Sequence, residues 1–320
     1  MTTTQIWASS NANIQTSKAR LSQLTAQSSS GIAITKPSDD PAASAAIMKV
    51  VGQQSAISQY GTNIDDGLGW LGSADTTMSS AENLVRKAKD LAIQAGNSGT
   101  ASAATREAIA TQLEGIRADL LSAANTKYNG RSIFAGTSDA SAAFDDAGTY
   151  TGPTTTSTAT PPVTTAVGSV QRRIGSASTD VVTVAADGLA TFGSGDTSVF
   201  AQIQTVIDAL RDPGYDSDTP SSTTGLTPKQ TITAGIDLLS TGLTNISAQH
   251  GVVGANYARM TSAKAQNATM ATALETQRSG LQDADTTRTL LDLKTQQLAY
   301  QTALQVTAQV IQPTLMSFLS

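Results

Sequence analysis

The sequence predicts a mainly α-helical fold: a long antiparallel helical bundle or coiled coil from both chain ends, with a small β-rich domain inserted between its halves. Three observations predict this fold. Proline is absent from residues 42–152 and 229–312, and proline costs about 3 kcal/mol inside a helix. Both stretches repeat a hydrophobic residue every seven positions. The segment between them is rich in Ser and Thr and contains short β-type runs.

The two proline-free stretches each predict one long helix, because apolar heptads are typical of coiled coils. The first helix is expected from Pro41, behind the N-cap Asp40, to about residue 96. The second is expected to begin at Pro228, behind Thr227. We expect the heptad residues to form the packing of a rod domain. They are Val50, Ile57, Ile64, Leu71, Met78 and Val85 in the first stretch, and Ile232, Leu239, Ile246, Val253 and Met260 in the second.

Shorter elements are predicted between the long helices. Hydrophobic spacing indicates a helix over about 103–128, closed by Asn129-Gly130, and then a short strand at residues 133–135. Two β-type runs, 181–184 and 189–192, flank Asp187-Gly188, which predicts a β-hairpin. Residues 139–225 contain ten Asp and three Arg, a net charge of −7. We therefore expect this insert to face solvent.

The two chain ends predict helices that are enclosed by other subunits. Only Lys18 and Arg20 are charged in residues 1–35, and residues 295–320 carry no charge. A surface helix of a monomer usually has a charged outer face, whereas an unpaired charge is costly to bury in an assembly. We expect the ends to become ordered when subunits pack. The predicted assembly interface consists of Ile6, Ile14, Leu21, Leu24, Leu290, Leu293, Leu298, Leu304, Ile311 and Leu315.

These elements divide the chain into three predicted domains. A terminal coiled-coil domain comprises residues 1–40 with 281–320. A helical rod domain with a β-hairpin comprises residues 41–137 with 196–280. The outer, β-rich domain comprises residues 138–195.

Composition excludes several functional classes. The 320 residues include no Cys and one His, His250, which removes disulfide frameworks, thiolate sites and multi-His zinc sites and disfavours a Ser-His-Asp triad. The formal net charge of −5 disfavours nucleic acid as a partner. No segment predicts membrane insertion, and residues 1–15 lack the pattern of a cleavable signal peptide. We expect His250 to be packed or half-buried.

Motifs that resemble catalytic sites have structural explanations. Residues 67–72 match G-x-G-x-x-G, but a dinucleotide site requires a preceding strand and a helix that begins at the motif. Here the glycines lie inside a heptad run, where we expect them to allow close helix packing. The adjacent Asp pairs point apart on a helix or strand, which disfavours general acid–base catalysis. We therefore predict no catalytic residue, no cofactor and no metal, and a chain that is not an enzyme.

Four segments resemble the bacterial flagellin family. Residues 125–137, with the sequence NTKYNGRSIFAGT, resemble the branch that joins hook to filament more than filament flagellin. Residues 30–42 resemble the loop from the terminal helix into the first long helix, residues 90–95 resemble the ELAVQA segment, and residues 311–319 resemble the C-terminal tail. The middle of the chain has no counterpart among these segments.

The resemblance implies a layered rod with a structural function. It implies an adaptor between hook and filament in the extracellular flagellum, exported by the flagellar type III apparatus without a cleavable signal peptide. The implied partners are further copies of the chain in a ring, the first hook–filament junction protein, flagellin or other filament-side subunits, and an export chaperone. Two alternatives stay open: filament flagellin, and a type III-secreted binding protein or enzyme with its site in residues 138–225.

Overall fold

The computed structural model describes a mainly helical chain, as the sequence predicts. Seven α-helices, one 3-10 helix (Gly195–Thr197) and three two-stranded antiparallel ladders are found in the described residues. The backbone is described for residues 3–97, 102–156, 164–166, 168–215, 220 and 225–316. Within these ranges, the side chains of residues 3, 4, 6 and 309–316 lie outside the description.

The elements follow one another in the order expected for two long helices with an insert. The helices are α1 (Thr3–Ser30), α2 (Pro41–Asn97), α3 (Ala103–Ala124), α4 (Gly188–Phe192), α5 (Val199–Arg211), α6 (Pro228–Gln282) and α7 (Thr286–Met316). The strands are β1 (Lys127–Tyr128), β2 (Arg131–Ser132), β3 (Thr154–Thr156), β4 (Thr164–Ala166), β5 (Gln171–Arg173) and β6 (Val181–Thr183).

The chain divides into two compact units. One unit contains residues 1–58 with 269–320, and the other contains residues 59–268. The long helices α2 and α6 each contribute to both units. The finer division into three domains stays a prediction.

The starts of both long helices are confirmed. Pro41 opens α2, and the Asp40 carboxylate accepts a hydrogen bond from the Ala43 amide at 2.9 Å. Pro228 opens α6, where Thr227 Oγ1 accepts from the Gln230 amide at 3.3 Å and the Gln230 side chain accepts from the Thr227 amide at 3.0 Å. This reciprocal pair is a capping box, which satisfies amides that have no partner inside the helix.

In the first unit, the loop between α1 and α2 is hydrogen-bonded to the turn between α6 and α7. The loop between α1 and α2 donates from the Ala33 amide to the Gln282 carbonyl at 2.8 Å. The turn between α6 and α7 donates from the Ala284 amide to the Gly31 carbonyl, also at 2.8 Å. Gly31 has φ +70°, a conformation that favours glycine. Helix α1 therefore ends and α7 begins at one hydrogen-bonded level, and the two helices run antiparallel along each other.

The segment after α3 corrects one prediction. Residues 133–135 are not a strand, and α3 ends at Ala124 rather than near residue 128. Strands β1 and β2 instead form a hairpin across Asn129-Gly130, with φ +48° and +80°. Two consecutive left-handed residues favour a tight hairpin turn over a helix cap, which is why the Asn-Gly pair reverses the chain here.

The predicted hairpin around Asp187-Gly188 is wrong. Strand β6 pairs with β5 upstream of it, and Gly188–Phe192 forms the short helix α4. The Asp187 carboxylate accepts from the Ala190 amide at 3.0 Å. Asp is a strong N-cap, so in this context the Asp-Gly pair starts a helix instead of a turn.

The glycines of the G-x-G-x-x-G match lie inside the uninterrupted helix α2. A methyl group at Gly67 would collide with Met260 of α6, and one at Gly69 would collide with the Tyr128 side chain. These glycines thus permit close packing of neighbouring elements, as the sequence analysis expects. A dinucleotide site would need the motif at the start of a helix.

Candidate assembly surfaces

The heptad residues line the interior between α2 and α6. Ten of the eleven are buried, and Ile57 is half-buried. The positions three residues further along α2 are small and buried from Gly67 onward: Gly67, Ala74, Ala81, Ala88 and Ala95. Large residues alternate with small ones, which lets the neighbouring backbones approach closely.

The predicted interface of the terminal helices divides into an inner and an outer part. Leu24 is buried, whereas Ile14, Leu21 and Leu293 are half-buried. The exposed predicted residues are Leu290, Leu298 and Leu304, and Leu298 is 66% exposed. The side chains of the other three predicted residues, Ile6, Ile311 and Leu315, lie outside the described part of the chain.

The outer part continues into a groove between α1 and α7. It has a volume of about 540 Å³, and its lining residues are uncharged. Ile14 and Ala299 lie on its walls with the exposed side chains of Leu298 and Val306. Leu291 and Trp7, which are not among the predicted interface residues, are also exposed. The described surface of these two helices therefore presents several large apolar side chains to solvent.

His250 of α6 contacts two carboxylates of α2. Its Nδ1 lies 3.0 Å from Glu82 Oε1, and its Nε2 lies 2.9 Å from Asp75 Oδ1. Burial lowers the pKa of His250, but the hydrogen bonds to Asp75 and Glu82 outweigh burial, so the pKa is raised. A carboxylate can only accept, so both contacts are hydrogen bonds when the ring is protonated. The expected half-buried histidine is confirmed.

Ion pairs join α2 to α6 and to β5. Asp65 pairs with Lys264 of α6 at 2.8 Å, and Asp66 pairs with Arg172 of β5 at 2.7 Å. These adjacent carboxylates thus point to different partners, as expected for neighbours on a helix.

Arg211 of α5 pairs with the carboxylates of Glu107 and Glu114 of α3. Its hydrogen bonds lower the pKa of both glutamates.

The described residues contain no group of three or more His, Asp or Glu side chains arranged to hold a metal ion. No helix among these residues has the length and hydropathy needed to cross a membrane.

Comparison with known proteins identifies the class of protein. The model of the bacterial flagellin N-terminal helical region matches residues 2–139, and that of the C-terminal helical region matches residues 236–319. Together the two models cover more than half of the chain. The chain belongs to the bacterial flagellin family and is a structural flagellar protein, not an enzyme.

Within the family, the chain is similar to flagellar hook-associated protein 3. That protein from Salmonella typhimurium is 29% identical over 249 residues, which are 77% of this chain and 74% of the relative. A flagellar hook-associated protein of Vibrio parahaemolyticus shares the fold with a TM-score of 0.60 at 18% identity, over 77% of this chain and 100% of that chain. Flagellin from Bacillus subtilis is 28% identical over 111 residues, or 34% of this chain and 36% of the relative. The resemblance to the family and to its junction branch is confirmed.

Proposed function

We propose that this chain is the adaptor that joins the flagellar hook to the filament, and that it assembles by packing its terminal helices against neighbouring subunits. The observation that carries the proposal is the uncharged groove between α1 and α7, beside which Leu298 and Val306 are exposed, in a chain similar to hook-associated protein 3. Each exposed leucine that becomes fully buried contributes about 1.5–3 kcal/mol.

Coupled folding and assembly follows from the composition of these helices. Most of their outward positions are Gln, Thr, Ser and Ala rather than charged residues. Such side chains accept burial at an interface, because they lose less hydration free energy than ions. Isolated helices of this kind are marginal in water. Their order in the assembly therefore depends on contacts with further copies, with the first junction protein and with filament-side subunits.

The proposed route to this position is export through the flagellar type III apparatus, assisted by a chaperone that holds the C-terminal helix. The rationale is the apolar surface of α7, since exposed leucines would otherwise associate non-specifically before assembly. The final location is the extracellular flagellum. The proposed domain order has the terminal helices innermost and residues 138–195 outermost.

The substitution Leu298→Asp tests the assembly surface. Leu298 is 66% exposed, so a charge there spares the fold of the subunit but is costly at a buried interface. We expect a junction-null strain that carries this variant to lose filaments and swimming. Gln301→Asp is the matched control, because it places the same charge at an exposed polar position of α7. Normal swimming with Leu298→Asp would contradict the proposal.

Complementation separates the alternatives that the sequence leaves open. We expect the unmodified chain to restore filament attachment in a junction-null strain and to fail in a filament-null strain. Rescue of the filament-null strain alone would instead identify filament flagellin. Secretion with rescue of neither strain would favour a secreted binding protein or enzyme.

A further inference from the structure

The unit formed by residues 59–268 contains a second groove, which terminal-helix assembly does not use. Its volume is about 440 Å³, within the range of ligand-binding sites. One wall is the extended segment Val181–Asp187, in which odd-numbered residues are half-exposed and even-numbered residues are buried. The other wall is one face of α6, formed by Gln249, Val252, Val253, Asn256 and Arg259.

The polar side chains on the α6 wall are unpaired. Gln249, Asn256 and Arg259 make no side-chain hydrogen bond or ion pair within the part of the chain that the structure describes. By contrast, Arg172 in the same unit pairs with Asp66 at 2.7 Å. A guanidinium presents a rigid fork of donors that matches a carboxylate. Arg259 on the α6 wall, with Asp187 on the other wall, is therefore suited to pair with a carboxylate of an incoming segment.

We propose that this groove receives the turn Asp145–Gly148 of a second copy of this chain, with Asp146 of that copy paired to Arg259. The Asp146 carboxylate is exposed and has no partner among the described residues. The opposite charges of Asp146 and Arg259 favour this pairing between two copies and would set its register.

The turn is already held in one conformation. The Gly148 amide donates to the Asp145 carbonyl at 2.9 Å. Arg117 of α3 donates to the Asp146 carbonyl at 2.7 Å, which fixes the tip to the helices beneath it. A preorganised turn loses little conformational entropy on docking, so this segment is a better occupant than a flexible acidic loop.

The contact would be heterologous, because the turn and the groove are different surfaces of the same chain. Heterologous contacts repeat head to tail and generate rings or helical rows. The inference rests on the proposed self-assembly, but it concerns residues 59–268 and not the terminal helices. It therefore adds a second, independent contact between neighbouring subunits.

Cysteine cross-linking of full-length chains tests the contact. The chain has no cysteine, so a mixture of Asp146→Cys and Arg259→Cys chains can form a disulfide between these positions only across two copies. We expect a heterodimer that clearly exceeds the product from Asp196→Cys mixed with Arg259→Cys. Asp196 is a matched control, because it is another exposed acid of the insert. A product from the control pair that equals or exceeds the Asp146 product overturns the assignment of the turn.

Charge exchange provides the second measurement. Asp146→Arg and Arg259→Asp should each weaken association by roughly fivefold, and the double variant should recover it. Both positions are exposed, so circular dichroism should match the wild type. A double variant no better than either single variant overturns the contact. Sedimentation separates the two proposals: oligomers that lack the cross-link overturn this contact alone, whereas wild-type chains that remain monomeric at every concentration also overturn the proposed self-assembly.

Discussion

His250 Nδ1 and Glu82 Oε1 lie 3.0 Å apart, between two helices that are joined by more than a hundred residues of chain. Glu82 is largely buried and also accepts from Arg86 at 2.9 Å. A neutral imidazole has only one N–H, so it cannot donate to Glu82 and Asp75 together. The protonation of one ring thus decides how many hydrogen bonds join α2 to α6 at this level.

The stability of the rod is expected to fall as pH rises above about 6.5, the pKa of an unperturbed histidine. The pKa of His250 is raised in the folded chain, so its stabilising contribution is complete below the unfolded value of about 6.5. The contribution is lost as pH rises through the folded-state pKa. We expect the free energy of unfolding to fall by about 1 kcal/mol. The loss is small because His250 and its carboxylate partners are partly screened by solvent. Thermal unfolding of the wild type and of His250→Gln between pH 5 and 9 measures it. An equal pH dependence in both proteins would contradict this prediction.

Two glycines on one helix should respond oppositely to the same substitution. A Cβ at Gly69 collides with Tyr128, whereas a Cβ at Gly72 meets nothing within 4 Å. Gly72→Ala should stabilise the chain by up to about 1 kcal/mol, because alanine is the better helix former. Gly69→Ala should destabilise it by up to about 2 kcal/mol, because overpacking exceeds that gain. Urea unfolding of both variants measures the difference, and a stabilised Gly69→Ala variant would refute the packing role.

Shortening an apolar side chain of α6 should lower the free energy of unfolding substantially only on the face that packs in the interior. Ile246 is fully buried, whereas Leu238 on the same helix is 47% exposed. We expect Ile246→Ala to lower the free energy of unfolding by about 2–5 kcal/mol. Leu238→Ala is the control and should cost less than about 1 kcal/mol. Similar losses at both positions would mean that the heptad does not define the packed face.

The hydrogen bond between the α6–α7 turn and the α1–α2 loop should depend on Gly31. Alanine at φ +70° is strained by about 1–2 kcal/mol, although the space around Gly31 is open. Gly31→Ala should therefore speed hydrogen exchange of the Ala284 amide, which donates to the Gly31 carbonyl. Gly52→Ala, at an equally open helical position, should leave that exchange rate unchanged. An unaltered rate in Gly31→Ala would count against the strained link.

Much of the helical framework is predictable because its signals are local and repeated. The heptad fixes which face of α2 and α6 is buried, and Pro41 and Pro228 mark where these helices begin. The partners of His250 are not predictable in this way, since they lie 168 and 175 residues away in sequence. No local pattern records such a pairing.

Short motifs were less informative than long repeats, because their meaning depends on tertiary context. Asp187-Gly188 suits both a turn and a helix start, and only the pairing of β6 with β5 decides between them. The groove beside Arg259 gave no sequence signal either. Its walls come from α6 and from an extended segment more than sixty residues earlier in the chain.

The hydrogen bonds between Ala33 and Gln282 and between Ala284 and Gly31 hold the end of α1 and the start of α7 at the same level. Because α1 and α7 run antiparallel from this level, deleting seven residues from α1 removes about two turns. About two turns of α7 would then have no neighbouring helix. A change in the length of one helix therefore requires a matching change in the other if the pairing is to be kept.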